Sequence, residues 1–219
     1  APATVCENNL TGDIVITGLL AGEGNTINYN ITGEATQQSF TIPAANLTGT
    51  TATLPLSLLS TPTPGTYTVT VNSVTANGCQ TTVTTGNTFT TTIYPTPTFT
   101  SIAAPATVCE NNLVGNIVIA GLTNGVTNTL AYNITGGNNP MTMEIPATAI
   151  VGGTATLPLS LLSTPTPGVY TVEVLSVSTN DCVEPVTTNN TFTTEIYPTP
   201  TFGELASTLD NVCFDNLAA

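Results

Sequence analysis

The chain has 219 residues, 13 acidic residues and no Lys, Arg or His, which gives a formal net charge of −13. A chain without cations cannot neutralise phosphates, so we expect no nucleic-acid partner, and an anionic membrane surface would repel it. It also lacks the commonest general bases and the imidazole metal ligands. We therefore predict that the protein is not an enzyme.

The composition nevertheless predicts a folded, all-β protein. Hydrophobic residues make up 40% of the chain and charged residues 6%, and the mean hydropathy is +0.26. Thr and Asn supply the polar surface instead, and β-branched Thr favours strands. No apolar run approaches the roughly 18 residues of a membrane-spanning helix, so we expect no membrane insertion.

An internal repeat organises the sequence. Three segments recur 103 residues further along: Ala1–Leu10 as Ala104–Leu113, Thr51–Gly65 as Thr154–Gly168, and Ile93–Phe99 as Ile196–Phe202. We therefore divide the chain into repeat 1 (residues 1–99), repeat 2 (residues 100–202) and the first strand of a truncated third repeat (residues 203–219).

Each repeat carries about seven short strand signals, in which Thr alternates with apolar residues. In repeat 1 the signals follow a first strand at Cys6 and cover Asp13–Thr17, Thr26–Thr32, Phe40–Ile42, Thr51–Leu59, Thr66–Val74 and Thr88–Tyr94. This pattern predicts an Ig-like β-sandwich. We expect the hydroxyls of Tyr67 and Tyr170 to bond to backbone, as at the corner of such sandwiches.

Pro-rich segments separate the repeats, at Pro95–Thr98 and Pro198–Thr201. They favour the extended polyproline II conformation, so we expect short, semi-rigid linkers that join the sandwiches end to end. The aromatic residues beside them, Tyr94, Phe99 and their counterparts Tyr197 and Phe202, are predicted to pack between neighbouring repeats.

The cysteines predict one disulfide in each repeat. Cys6 and Cys79 are 73 residues apart, as are Cys109 and Cys182, and Cys213 is left without a partner in this chain. The first strand of an Ig-like sandwich starts at the pole where the sixth strand ends, so Cys6–Cys79 and Cys109–Cys182 are the expected pairs. Bridges imply an oxidising, extracellular setting. Buried free thiols are the alternative, and a zinc site lacks Cys-x-x-Cys and His.

The motifs Pro-Ala-Thr-Val-Cys at 2–6, Pro-Gly-x-Tyr at 64–67 and Ile-Tyr-Pro-x-Pro-Thr at 93–98 resemble a known family. They are similar to the tandem Ig-like (PKD-like) repeats of giant surface adhesins that Bacteroidetes, including gliding species, export by type IX secretion. The resemblance covers both full repeats and the partial third. It implies display at the cell surface, adhesion, and the building of filaments or stalks.

Two groups of residues are candidate sites. Glu7 and Glu110 occupy the same position in both repeats and are candidate Ca²⁺ ligands; the alternative is that they are solvated acids, with no cofactor bound. The block that differs most between the repeats contains Glu34, Gln37 and Gln38 in repeat 1, and Asn138 and Asn139 in repeat 2. We expect this variable block to lie in a loop or edge strand and to form a contact face.

These observations predict a structural segment of an extracellular bacterial adhesin or surface filament. Its partners would be neighbouring repeats of the same chain, lateral copies in a filament, and a cell-surface or glycan target. Two alternatives remain: a glycan-binding module that acts by avidity, and a passive spacer in a secreted hydrolase.

Overall fold

The structure, a computed structural model, describes residues 1–56, 63–137, 140–161 and 166–205. The described residues form two β-sandwiches, one in each repeat, which confirms the predicted all-β, Ig-like fold. Within this part of the chain, no helix has the length and hydropathy needed to cross a membrane.

The described residues of repeat 1 form nine strands, which is more than the seven predicted because several strands are too short to leave a pattern in the sequence. They are β1 (Thr4–Cys6), β2 (Asp13–Ile16), β3 (Asn25–Ile31), β4 (Gln38–Ile42), β5 (Leu47–Thr48), β6 (Thr51–Pro55), β7 (Gly65–Ala76), β8 (Cys79–Thr82) and β9 (Thr88–Tyr94). One sheet has the order β1-β9-β7-β3-β4, with β8 paired to the end of β7, and the other has the order β2-β6-β5.

Among the described residues, repeat 2 has the same arrangement with one more strand. Its strands are β10 (Ser101–Ala103), β11 (Thr107–Cys109), β12 (Asn116–Ala120), β13 (Asn128–Ile134), β14 (Met141–Ile145), β15 (Ile150–Val151), β16 (Thr154–Pro158), β17 (Gly168–Thr179), β18 (Cys182–Pro185) and β19 (Thr191–Tyr197). The extra strand is β10, which pairs with β12 in the sheet β10-β12-β16-β15. One short 3-10 turn in each repeat follows a proline, at Ala44–Asn46 and Ala147–Ala149, and another spans Leu159–Leu161.

Alternating side chains explain both faces of the sheets. Inward-facing residues such as Ile31, Ile42 and Leu130 are almost fully buried between the two sheets. Thr hydroxyls on the outer face bond across neighbouring strands, as in Thr68–Thr90 (2.9 Å) and Thr171–Thr193 (3.0 Å). Such cross-strand pairs stabilise a polar face without charges.

The two tyrosines near the start of β7 and β17 behave as predicted. The Tyr67 hydroxyl lies 2.9 Å from the Thr63 carbonyl oxygen, and the Tyr170 hydroxyl lies 3.0 Å from that of Thr166. Both rings pack against the core of their own sandwich. Each tyrosine therefore fixes the entry into the longest strand of its repeat.

Candidate functional site: the junction between the repeats

The structure pairs the cysteines differently from the sequence prediction. The disulfide joins Cys6 of repeat 1 to Cys182 of repeat 2, with 5.5 Å between their Cα atoms, and Cys79 and Cys109 are free and exposed. The predicted Cys6–Cys79 and Cys109–Cys182 pairs are therefore wrong. The bridge connects the two sandwiches instead of closing a loop within one.

The strand register explains why the cysteines of one repeat do not meet. Cys6 ends β1 beside Tyr94, close to Gly65 at the start of β7. Cys79 pairs with Ala76 at the far end of β7, which is 12 residues long. At about 3.3 Å per residue, the two cysteines lie roughly 36 Å apart, whereas a disulfide requires Cα atoms within about 7 Å. The parallel pairing of β1 with the end of β9 therefore places Cys6 at the pole opposite the one predicted.

A tight hairpin presents Cys182 to repeat 1. Asn180 (φ 49°) and Asp181 (φ 65°) form the turn between β17 and β18, in which Thr179 pairs with Cys182. Two successive positive φ angles are characteristic of the type I′ hairpin turn, which Asn, Asp and Gly favour. Cys182 is fully buried and Cys6 is partly buried.

The linker is held to both sandwiches by hydrogen bonds. The Thr96 amide donates to Glu7 Oε2 at 3.3 Å, which ties the linker to repeat 1. The Thr98 hydroxyl donates to the Gly121 carbonyl, and the Thr100 amide donates to the Ala120 carbonyl at 2.8 Å. The linker and the disulfide are thus two separate covalent connections between the same two sandwiches.

Apolar residues of the linker region extend the core of repeat 2. Pro97 is buried, Phe99 packs against the core of repeat 2, and Ile102 in β10 is 6% exposed and pairs with Ile119. Phe99 therefore packs at the boundary between the repeats, as expected, although it contacts the second sandwich.

One polar contact crosses directly between the sandwiches beside the disulfide. The Asn8 Nδ2 donates to Glu184 Oε2 at 2.7 Å. A hydrogen bond to an ionised acceptor is stronger than a neutral one. Because neither residue was singled out in the sequence, this contact was missed. Glu184 is equivalent to Thr81 in repeat 1, and this gain of an acid was the one sign in the sequence that could have pointed to the contact.

The candidate calcium ligands take part in linker contacts. Glu110 Oε2 accepts a hydrogen bond from the Thr199 amide at 3.4 Å, which repeats the contact between Glu7 and Thr96. Each carboxylate thus caps the linker that leaves its own repeat. Among the described residues, no group of three or more His, Cys, Asp and Glu side chains is placed to hold a metal ion.

The variable block lies where the sequence placed it. Glu34 and Gln37 lie in the loop between β3 and β4, and Gln38 begins β4, the edge strand of its sheet. Asn138 and Asn139, from the same block of repeat 2, lie outside the described residues, as does Cys213. The block is remote in the sheet order from β1, which carries Cys6, so its role as a contact face stays a prediction.

An open groove of about 490 Å³ flanks the hairpin of Cys182. Its lining is made of small polar and aliphatic side chains: Val126, Thr127, Thr129, Ser178, Thr179, Asn180, Asp181 and Val183. No aromatic ring that could stack on a sugar is among these lining residues. The groove therefore adds nothing in favour of the glycan-binding alternative.

Comparisons with known proteins return similarities of structure alone. No protein-family model and no curated protein matches the chain. The chicken CNTN1 FN1–FN3 domains are similar at a TM-score of 0.37 and 13% identity, over 88% of this chain and 62% of that one. A tri-modular endo-beta-1,4-glucanase from Bacillus licheniformis, complexed with cellotetraose, is similar at a TM-score of 0.33 and 15% identity, over 91% and 38%.

CBD12 from CALX1.2 is a third similar structure, at a TM-score of 0.29 and 10% identity, over 81% of this chain and 78% of that one. This chain spans less than two thirds of the CNTN1 and glucanase chains. The Ig-like assignment rests on the sheet topology described above. Ig-like sandwiches in tandem, fastened by a disulfide, are the construction of an extracellular repeat module.

Proposed function

We propose that this chain is a structural segment of an extracellular bacterial adhesin or surface filament, with no catalytic role and no cofactor. Its work is to hold other parts of the protein at a distance from the cell on a stiff, protease-resistant stalk. The observation that carries the proposal is the Cys6–Cys182 bridge, because it fastens one sandwich to the next.

The double connection restrains motion between the sandwiches. A single Pro-rich linker permits bending and rotation about itself. A second covalent connection, from Cys6 to Cys182, restricts the motion of one sandwich relative to the other. The Asn8–Glu184 hydrogen bond adds a third point of contact near the bridge. These contacts support a stiff stalk in preference to flexibly tethered domains.

The chemistry of the surface suits an extracellular position. A structural disulfide persists in an oxidising setting and is rare in a reducing one. The chain contains no Lys or Arg, so trypsin-like proteases find no cleavage site. Together with the resemblance noted in the sequence, these features favour a type IX-secreted surface protein of Bacteroidetes that takes part in adhesion or gliding motility.

Immunogold electron microscopy of intact source cells tests this proposal. Antibodies raised against residues 1–205 should label extended structures outside the outer membrane, and the same antibodies should reduce attachment of the cells to surfaces. Label confined to the cell interior would contradict the extracellular assignment.

A glycan array separates the proposal from its main alternative. The oxidised chain should give no saturable binding to any sugar on the array. Saturable binding that several repeats strengthen would instead favour the glycan-binding module.

A further inference from the structure

The six-stranded sheets of the two repeats differ in charge. In repeat 1 this sheet consists of β1, β3, β4, β7, β8 and β9, and none of these described strands contains an acidic residue. The strands of the equivalent sheet in repeat 2 contain four acids: Glu144, Glu173, Glu184 and Glu195. Each of them stands 103 residues after a threonine of repeat 1, namely Thr41, Thr70, Thr81 and Thr92. Repeat 1 therefore presents an uncharged sheet in a chain whose net charge is −13.

The strand β4 (Gln38–Ile42) forms an edge of the uncharged sheet. It pairs with β3 over all five residues without a shift of register, and no described strand pairs with its other side. An edge strand of this kind presents unpaired backbone N–H and C=O groups to a further strand. Ser39 and Thr41 are exposed on the outer face, whereas Phe40 packs against the core on the inner face. The opposite edge, β1, is only three residues long.

The equivalent edge in repeat 2, β14 (Met141–Ile145), carries two features that oppose pairing with another strand. Glu144 occupies the position of Thr41, and Pro140, directly before the strand, occupies the position of Gln37. Charged residues and prolines are among the means by which natural proteins prevent their edge strands from pairing. Because β4 has neither, its edge can accept a further strand where that of β14 cannot.

The absence of charge along β4 favours a second copy of this chain as its partner. Two acidic chains that contain no cation repel each other wherever their carboxylates come close. At physiological salt the screening length is about 8 Å, so only acids near the contact oppose it. β3 and β4 contain no acid, and the nearest one to β4 in the sequence is Glu34, in the loop before it. A basic partner would instead be drawn to the acidic sheet of repeat 2.

We propose that two copies of this chain associate laterally through their β4 strands, which pair antiparallel and join the two six-stranded sheets into one. The inference rests on the proposed function and deepens it, because it names the contact through which copies align side by side in a surface filament. An antiparallel pair centred on Phe40 is self-complementary, as a two-fold interface requires. Phe40 of one copy meets Phe40 of the other, and Ser39 of each copy meets Thr41 of the other.

This pairing extends contacts that the sheet already makes, and repeat 2 cannot reproduce it. Thr41 Oγ1 lies 2.9 Å from Thr26 Oγ1 on β3, and pairs of Thr and Ser across neighbouring strands are stabilising. In repeat 2 the same register, centred on Met143, would place the Glu144 residues of the two copies diagonally across the pair, about 7–8 Å apart. Like charges at that distance oppose association, so the contact forms through repeat 1.

Sedimentation equilibrium of two matched variants tests the contact. The parent chain carries Cys79→Ser, Cys109→Ser and Cys213→Ser, so that no disulfide forms between copies, and it should form a reversible dimer in about 0.15 M salt. Thr41→Glu should lower the association constant about tenfold, because it places like charges diagonally across the pair. Thr92→Glu is the control: it adds the same charge to the same sheet, but on β9, three strands away from β4.

Both substitutions are compatible with the fold, because repeat 2 contains glutamate at each of the two equivalent positions. Thr92→Glu should leave the association constant within about twofold of the parent value, since its added charge is screened from the contact. A parent chain that stays monomeric at concentrations up to about 1 mM would overturn the proposal. Equal losses of association from the two variants would overturn it as well.

Cross-linking tests the register of the pair. In the same parent chain, Ser39→Cys and Thr41→Cys are made as separate variants and oxidised alone and as a mixture. The mixture should form a disulfide-linked dimer about tenfold faster than either variant alone, because directly opposite residues come within reach of a disulfide and diagonal neighbours do not. Faster linkage of each variant to itself would contradict antiparallel pairing. The location of the protein on cells depends on neither experiment, so immunogold labelling tests the proposed function separately.

Discussion

Two buried asparagines, Asn25 and Asn128, begin β3 and β13 and hold the loop before each of these strands in place. The side-chain oxygen of Asn128 accepts from the Thr123 amide at 3.1 Å, and its amide nitrogen donates to the carbonyls of Thr123 (2.8 Å) and Val126 (3.0 Å). Asn25 makes the same three kinds of bond to its own loop. Both side chains are fully buried, so every polar atom needs a partner.

Replacement of Asn128 by Asp should therefore destabilise repeat 2 strongly. A carboxylate cannot donate to the two carbonyl oxygens, and its charge would be buried beside them. We expect a loss of about 3 kcal/mol in the free energy of unfolding, measured by urea denaturation. Asn116→Asp, at an exposed position of β12, is the control and should cost little. A comparable loss from both variants would contradict the role assigned to Asn128.

The hydroxyl of Tyr197 is bonded to the Glu195 carboxylate at 3.0 Å. That hydrogen bond, together with the negative charge of Glu195, raises the pKa of Tyr197 above its usual value of 10.0. Burial also raises the pKa of Tyr29 and Tyr132 above the usual value. A tyrosine whose pKa is raised by folding contributes stability below pH 10, and this contribution is lost as the pH rises through its folded pKa.

We predict that Glu195→Gln lowers the pKa of Tyr197 towards 10.0, because it removes the charge that opposes ionisation. The pKa is measured from the ultraviolet absorbance of tyrosinate during an alkaline titration, with Tyr197→Phe used to assign the transition. Asp13→Asn removes a charge on β2 and should leave the Tyr197 transition where it is. An unchanged transition in Glu195→Gln would show that the carboxylate does not act on this hydroxyl.

At the scale of the elements, alternation of Thr with apolar residues predicted the long strands well. The predicted Thr88–Tyr94 matches β9, and the predicted Thr66–Val74 lies within β7. Strands of two or three residues, such as β5 and β10, are too short to show a period, so the sequence missed them. β10 pairs with β12 and forms the edge of the smaller sheet of repeat 2.

The disulfide pairing could not be predicted from spacing. Cysteines that recur with a 103-residue offset are spaced consistently for pairs within repeats and for pairs between consecutive repeats. Only the pole at which each cysteine lies distinguishes the two. That pole depends on the parallel pairing of β1 with β9, which the sequence does not encode in a visible pattern.

The two equivalent glycines Gly18 and Gly121 provide a matched test of the linker. Their φ angles are +82° and +84°, so alanine is strained at both positions. A Cβ on Gly121 would lie 2.2 Å from Thr100 Oγ1 and 2.4 Å from the Thr100 amide nitrogen, whereas a Cβ on Gly18 would meet nothing within 4 Å. Only Gly121 is in close contact with the linker.

Gly121→Ala should therefore lower the free energy of unfolding more than Gly18→Ala does, by a further 1–3 kcal/mol or so, because the linker must shift. Thermal or urea unfolding of the two monomeric variants measures this difference. Equal losses would show that the linker contact at Thr100 contributes nothing to stability.

At the scale of the whole molecule, the bridge determines how the chain carries tension. Force applied at the two ends enters at Cys6, crosses to Cys182 and bypasses the residues between them, a loop with a sequence separation of 176 that contains every strand from β2 to β17. Bridges within each repeat would instead leave the segment between Cys79 and Cys109 to bear the load. The observed pairing therefore shields more of the chain.

Single-molecule pulling should register this shielding. Reductant should add about 600 Å of extension, at roughly 3.5 Å per residue of the enclosed loop. Without reductant, extension should come only from residues outside that loop, which include β19 of repeat 2. An added length of about 105 Å in the oxidised chain, from the roughly 30 residues between Cys79 and Cys109, would indicate bridges within repeats.

Peptide mapping without reduction shows directly whether Cys6 is bonded to Cys182. A protease that cleaves after Glu, except where Pro follows, releases residues 1–7 with Cys6, residues 174–195 with Cys182, and residues 35–110 with both Cys79 and Cys109. The thiols of the folded, unreduced chain are first blocked by alkylation. A Cys6–Cys182 bridge should give a disulfide-linked pair of residues 1–7 and 174–195, with residues 35–110 alkylated at both cysteines. A single linked species that contains all three fragments would contradict it.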